Sequence, residues 1–281
     1  MFAYEPVKLD KIISKGKTMT RIIAIAMQKG GVGKTTTTIN LAAALAEQGQ
    51  RVLAVDLDPQ CNLTQHCGFD PDNISPSIYD ALKAEVDGLQ SNVAESIYET
   101  DEAFHLLPAQ PELSLIEVAL INTLSRERVL ATVLESITPW YDFILIDCNP
   151  SLGLLVINAL TAATSVLIPI QTEYLAARGA FMILSSIETV RRKKLNPNLK
   201  VEGILLTMAD TRTILTKDVQ EAIRQQYGDG IRIFEPLIKR SVRFGESAAA
   251  GLSILAYDSS SQGAEAYRQV AREILKGGKN G

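Results

Sequence analysis

Short unbroken runs of Val, Ile and Leu recur along the chain, each followed by a stretch of helical length. Arg21 to Met27, Arg51 to Asp56, Phe143 to Asp147, Ser165 to Ile170 and Val201 to Met208 lack the strict alternation of a strand with one wet face. They read as strands covered on both sides. After the first of them, Thr38, Leu41, Ala42 and Leu45 fall at i, i+3, i+4 and i+7, and the pattern stops at Gly49, which suits a left-handed helix cap. Near the end, Ala264, Tyr267, Val270, Ala271, Ile274 and Leu275 keep one apolar face before Gly277, Gly278 and Gly281. This alternation predicts the α/β class: a doubly wound, mostly parallel sheet with helices on both faces. Asp70 to Ser91, with two prolines, a glycine and only short periodic pieces, reads as small helices and loops. Residues 1–20 lack a strong pattern and read as an N-terminal extension, either mobile or a short docking helix, with Met19 as an alternative start. Residues 21–281 then form a single domain.

Composition narrows the class. The chain of 281 residues is 46% hydrophobic and 21% charged, apolar enough to collapse, which excludes a disordered protein. Three cysteines, Cys61, Cys67 and Cys148, exclude a disulfide scaffold and point to a reducing compartment. The longest apolar stretch, Phe143 to Leu160, is broken by Asp147 and Asn149, so no segment reads as a membrane span of about 18 residues. The first twenty residues carry Glu5, Lys8, Asp10, Lys11, Lys15 and Lys17 with no apolar core, unlike a secretory signal. The final helix does not keep bulky apolar and basic residues to its end, as a membrane-surface helix would. The expectation is a cytoplasmic protein without a membrane partner. Net charge is −4, unevenly spread: Gly68 to Trp140 holds 13 acidic and 3 basic residues, Arg178 to Arg243 13 basic and 7 acidic. The basic segment either faces an anion or is a solvated helix surface.

The first apolar run leads into Gln28, Lys29, Gly30, Gly31, Val32, Gly33, Lys34, Thr35 and Thr36, where a helix begins. Glycines allow the backbone to wrap a phosphate, the helix N-terminus adds partial positive charge, and a lysine and hydroxyl follow for terminal phosphates and magnesium. Lys29 to Thr36 are therefore the candidate nucleotide-binding residues, with Lys34 catalytic, Thr35 on the metal, and ATP and Mg2+ as cofactors. Gln28 stands where the general P-loop pattern has its first glycine, and Lys29 lies five residues before Lys34, matching K-G-G-x-G-K-[ST]. By this motif the chain resembles the ParA/MinD family of deviant Walker A ATPases, P-loop NTPases. The resemblance implies that Lys29 reaches across a homodimer, formed on ATP binding, to the partner's nucleotide, as an arginine finger would.

Asp56 and Asp58 close the second strand at i and i+2 and point the same way from an extended chain. The resemblance implies that Asp58 positions or activates the attacking water and that Asp56 supports magnesium through its water shell. Phe143 to Asp147 is an apolar strand ending in an acid, the Walker B pattern, so Asp147 is a candidate metal ligand. Cys148 beside it reads as a small buried residue. Asn149, Pro150, Ser151, Leu152 and Gly153 follow, with Asn149 where ParA proteins have a proline. His66 and His105 lie in unrelated contexts and the cysteines lack C-x-x-C spacing, so only magnesium is expected.

Thr207 to Thr213 and Ile238 to Ser247 are similar to runs of chromosomal-type, Soj-like ParA partition proteins, with Lys239 in place of a proline. The resemblance implies non-specific DNA binding by Arg212, Arg240 and Arg243 in the ATP dimer. The other reading of each arginine is a surface ion pair. Arg191, Arg192, Lys193 and Lys194 end a helical pattern; their simplest expected role is to complement its dipole, with DNA contact as the alternative. The resemblance implies an ATPase that segregates or positions plasmid or chromosome cargo, associates with the nucleoid, and is stimulated by a ParB-like or other cargo-adaptor protein. The alternatives are a relative that positions another cargo, such as a carboxysome or chemoreceptor array, and a nucleotide-gated DNA-binding regulator without turnover.

Overall fold

The computed structural model describes residues 5–7, 19–173, 176–210, 214–228 and 230–277. Its centre is a seven-stranded sheet in the order β3-β4-β2-β5-β1-β6-β7. The five apolar runs supply β1 (Arg21–Ile25), β2 (Val52–Leu57), β5 (Phe143–Cys148), β6 (Ser165–Gln171) and β7 (Lys200–Thr207), all parallel. Two short strands, β3 (Tyr98–Glu99) and β4 (His105–Leu107), complete one edge, β3 being antiparallel. Both sheet faces are covered, which is why the long strands are apolar at nearly every position: Ile22 and Ala24 enter one core, Ile23 and Ile25 the other.

One core is closed by α3 (Ile78–Val86), α4 (Leu113–Leu120), α5 (Val129–Glu135), α6 (Leu154–Ala162), α7 (Ala176–Arg192) and α8 (Ile214–Tyr227). The other is closed by α1 (Lys34–Glu47), α2 (Asn62–His66), α9 (Arg243–Ala249), α10 (Ile254–Tyr257) and α11 (Gln262–Gly277). Gly49 follows α1 with φ +74°, the left-handed position expected for it. Within Asp70 to Ser91 the ordered piece is α3. Ser77 accepts from the Tyr79 amide and Asp80 accepts from the Ser77 amide, so both ends of a capping box are present.

Of the N-terminal twenty residues, Pro6 bridges Tyr98 and the Val7 amide donates to Ile97 at the β3 edge. Thr20 donates its hydroxyl to the Thr138 and Tyr141 carbonyls. Residues 1–4 and 8–18 lie outside the described residues.

Gly203 in β7 has φ +152° and sits at a register irregularity against β6. A Cβ there would lie 2.8 Å from the Phe234 ring and 2.9 Å from the Arg232 carbonyl oxygen. Gly203→Ala is expected to lower stability by about 1–3 kcal/mol, because backbone and a core ring must both give way. Urea denaturation checks this through a lower midpoint at unchanged slope.

Candidate active site

Everything expected to carry chemistry lies at the carboxyl ends of β1, β2 and β5, where open α/β sheets bind ligands. The chain leaving β1 turns through Gly31 (φ +71°) and Gly33 (φ +87°), both in the left-handed region that favours glycine. A Cβ on Gly30 or Gly31 would meet nothing within 4 Å, and both glycines are exposed. Gly33 caps α1 without a side-chain acceptor, which leaves the first-turn amides of α1 available to an anion. Thr207, at the end of β7, donates its hydroxyl to the Val32 carbonyl at 2.8 Å and ties the loop to the far side of the sheet. Lys34 is buried and its Nζ donates to the Lys29 carbonyl at 3.3 Å. Burial lowers its pKa, while the charges of Asp147, Cys148 and Asp58 oppose that shift.

Asp56 and Asp147 face each other in the register of β2 and β5, and both are fully buried. Asp147 Oδ2 accepts from the Thr35 hydroxyl at 2.6 Å, and its Oδ1 has no hydrogen-bond partner among the described residues. Burial, followed by the charge of Asp56, raises the Asp147 pKa well above the carboxylate range. That unpartnered oxygen beside a threonine hydroxyl is an all-oxygen donor set that fits magnesium. Among the described residues no three His, Cys, Asp or Glu side chains converge as a metal cage. This suits a cation held by few protein ligands together with substrate phosphates and water.

Asp56, expected to support magnesium through its water shell, is held by protein donors. Oδ2 accepts from the Thr64 amide (2.8 Å) and hydroxyl (2.7 Å), and Oδ1 from the Asp58 amide (3.2 Å). Burial raises its pKa to about 6, against the opposing effect of these bonds. Asp58 is buried, with Oδ1 accepting from the Gln60 amide at 3.0 Å. Lys29 points elsewhere: its ammonium pairs with Glu173, just beyond β6, and both side chains are about half exposed. Cys148 is buried, as expected. Asn149 donates to the Ser151 hydroxyl at 2.9 Å, which braces the loop from within, while its Oδ1 has no partner among the described residues.

The two basic runs of the C-terminal half adjoin through a bridge between Ala209 and Lys239, and the Arg240 amide donates to the Ala209 carbonyl. Arg212 lies outside the described residues. Arg240 is exposed and has no ion pair among the described residues, whereas exposed Arg243 pairs with Glu246 (2.9 Å) and Asp258 (3.7 Å). Lys239 reaches Gln262 at 3.1 Å. Residues that sequence reasoning missed are Thr64, Thr207 and Glu173. Thr207 and Glu173 act through contacts more than 140 residues away in sequence and Thr64 through Asp56 and Ala109; only the positions of Thr207 and Glu173 at strand ends hinted at a role.

The family model for an AAA domain (AAA_31) matches residues 20–201. The chain is 44% identical over 260 residues to the sporulation initiation inhibitor protein Soj of Bacillus subtilis, covering 92% of this chain and 100% of that protein. It is also 44% identical over 260 residues to the chromosome partitioning protein ParA of Myxococcus xanthus, covering 92% and 89% respectively. Among solved structures, cobyrinic acid a,c-diamide synthase from Mycobacterium smegmatis with bound ADP and magnesium superposes with a TM-score of 0.80 at 38% identity, covering 93% of this chain and 96% of that one. The septum site-determining protein MinD from Pyrococcus horikoshii, complexed with Mg-ADP, gives 0.72 at 27% identity, covering 92% and 97%. No helix among the described residues is long and apolar enough to cross a membrane.

A carboxyl whose pKa is higher folded than unfolded adds stability at low pH and loses that contribution as pH rises through its folded value. Asp147 is such a group. Asp147→Asn is therefore expected to stabilise the nucleotide-free protein near neutral pH by about 1–3 kcal/mol, with the gap closing toward acid pH. Thermal unfolding across pH, with and without magnesium and nucleotide, checks this; the variant should also lose the magnesium-dependent part of ligand stabilisation.

Proposed function

The chain belongs to the ParA/MinD family of deviant Walker A ATPases, P-loop enzymes that hydrolyse ATP and are related to DNA-partition and cargo-positioning systems; from this we propose that it is an ATP-switched DNA-partition ATPase. One observation carries the reading: a phosphate loop with buried Lys34 inside it and half-exposed Lys29 turned away from it, next to a buried Asp147 with one open oxygen. In this reading the loop amides and Lys34 hold the phosphates of ATP, while Thr35 and Asp147 hold magnesium. When bound, magnesium neutralises charge between the terminal phosphates. Asp58 orients the attacking water. Lys29 leaves Glu173 and reaches the nucleotide of a second copy, so that dimerisation completes each site.

The dimer then carries DNA contacts from Arg212, Arg240 and Arg243, which bind phosphate without sequence preference and with strong salt dependence. The described geometry favours Arg240 as the main contact, since Arg243 already has two carboxylate partners. Hydrolysis, stimulated by a ParB-like partner, reverses dimerisation and releases the DNA. Nucleoid association of a cytoplasmic protein follows from the same cycle, as does movement of plasmid or chromosome cargo.

Two experiments test it. Lys29→Ala should still bind nucleotide but lose stimulated turnover, measured as phosphate release with DNA and partner; normal stimulated turnover would refute the role of Lys29. Fluorescence anisotropy with random duplex DNA should show binding with ATP and not with ADP. Arg240→Ala should weaken it more than Arg243→Ala and lower the salt slope by about one. Equal binding in all nucleotide states would overturn the switch.

A further inference from the structure

The segment after β2 and the chain just beyond β4 meet at Thr64. Its hydroxyl donates to Asp56 Oδ2 at 2.7 Å and accepts from the Ala109 amide at 2.9 Å, while its own amide donates to the same Asp56 oxygen at 2.8 Å. The other Asp56 oxygen accepts from the Asp58 amide at 3.2 Å. Thr64, Asp56 and Ala109 are fully buried. A hydroxyl has one proton to give, and because the Ala109 amide can only donate, that proton goes to Asp56. Every donor in the chain of bonds has an acceptor.

Asp58 begins a tight turn. Its carbonyl accepts from the Cys61 amide at 2.9 Å, and Cys61 itself sits at φ +55° before α2. The backbone at Asp58 is thus held on one side by this turn and on the other by Asp56, which is in turn fixed by Thr64 and, through Thr64, by the chain just beyond β4. Asp56 has both oxygens taken by three protein donors, whereas Asp147 opposite keeps an oxygen open. The two facing carboxylates therefore divide their tasks.

We propose that Thr64 is a positioning residue for hydrolysis: together with Asp56 and the Ala109 amide it fixes the backbone of Asp58, and Asp56 serves the reaction through Asp58 and not through the metal. This rests on the reading of Asp58 as the residue that orients the attacking water. A reacting group displaced by about 1 Å costs on the order of a hundredfold in rate, so loosening this lock should act on turnover and not on nucleotide binding.

The test uses the full chain in steady-state ATP hydrolysis with duplex DNA present. Thr64→Val keeps the side-chain shape and removes the hydroxyl. It should lower kcat about tenfold to a hundredfold, with the KM for ATP and the magnesium concentration for half-maximal turnover unchanged. Thr64→Ser should restore most of kcat. If Thr64→Val does not fold, as judged by circular dichroism, Thr64→Ala carries the same test. Wild-type kcat without the hydroxyl would overturn the proposal, as would failure of serine to rescue, which would assign the effect to methyl packing. A shifted magnesium requirement would also overturn it, because the network would then act on the metal. Asp58→Ala run in parallel separates the two levels. If it abolishes turnover, a normal Thr64→Val rate counts against the lock alone; if it retains turnover, the reading beneath the lock falls.

Discussion

Asp56 and Asp147 stand opposite each other on neighbouring strands, both fully buried, and Asp58 follows two residues after Asp56. Carboxylates gathered in a buried site repel one another and lose hydration, a cost of several kcal/mol per ion unless hydrogen bonds and countercharge offset it. The fold supplies different remedies for different members. Asp56 receives three donors. Asp147 receives one donor and the field of Lys34, and is left with an oxygen that only a cation or a water could satisfy. In the proposed cycle magnesium and nucleotide supply the countercharge that this oxygen faces.

The surrounding parts fit that constraint. The glycine loop can bring backbone amides close to an anion because positions 31 and 33 have left-handed φ, and Thr207 braces it from the adjoining half of the sheet. Lys34 is buried among the acids and stays there, while Lys29 rests on Glu173 at the surface. An exposed ion pair of this kind is worth at most about 1 kcal/mol, so in the proposed cycle little opposes its exchange for a phosphate on a second copy.

The long central strands were legible because burial on both faces leaves an unmistakable apolar run, and the phosphate loop because its chemistry demands a fixed local spacing. The edge strands β3 and β4 were not, since two or three residues are too few to carry a period. α3 carried a signal that went unread: Ser77 and Asp80 have the spacing of a capping box within a stretch assigned only to small helices and loops. Asp56 could be placed near the site from its position, but its partners could not. Thr64 reaches it, and the Ala109 amide reaches Thr64, only in the folded chain, as Glu173 reaches Lys29 and Asp258 reaches Arg243. Local patterns state which groups arrive at the carboxyl edge of the sheet; which oxygen accepts from which donor depends on segments that meet only after folding.

The central claim is that each active site takes Lys29 from one copy and Asp58 from the other, and mixing two inactive variants tests it most directly. Lys29→Ala and Asp58→Ala, each inactive alone, should recover ATP hydrolysis when combined, because a mixed dimer holds one site with an intact Asp58 facing an intact Lys29. If the mixture stays inactive while the two variants demonstrably form mixed dimers with ATP, Lys29 acts within its own chain and the composite site is wrong.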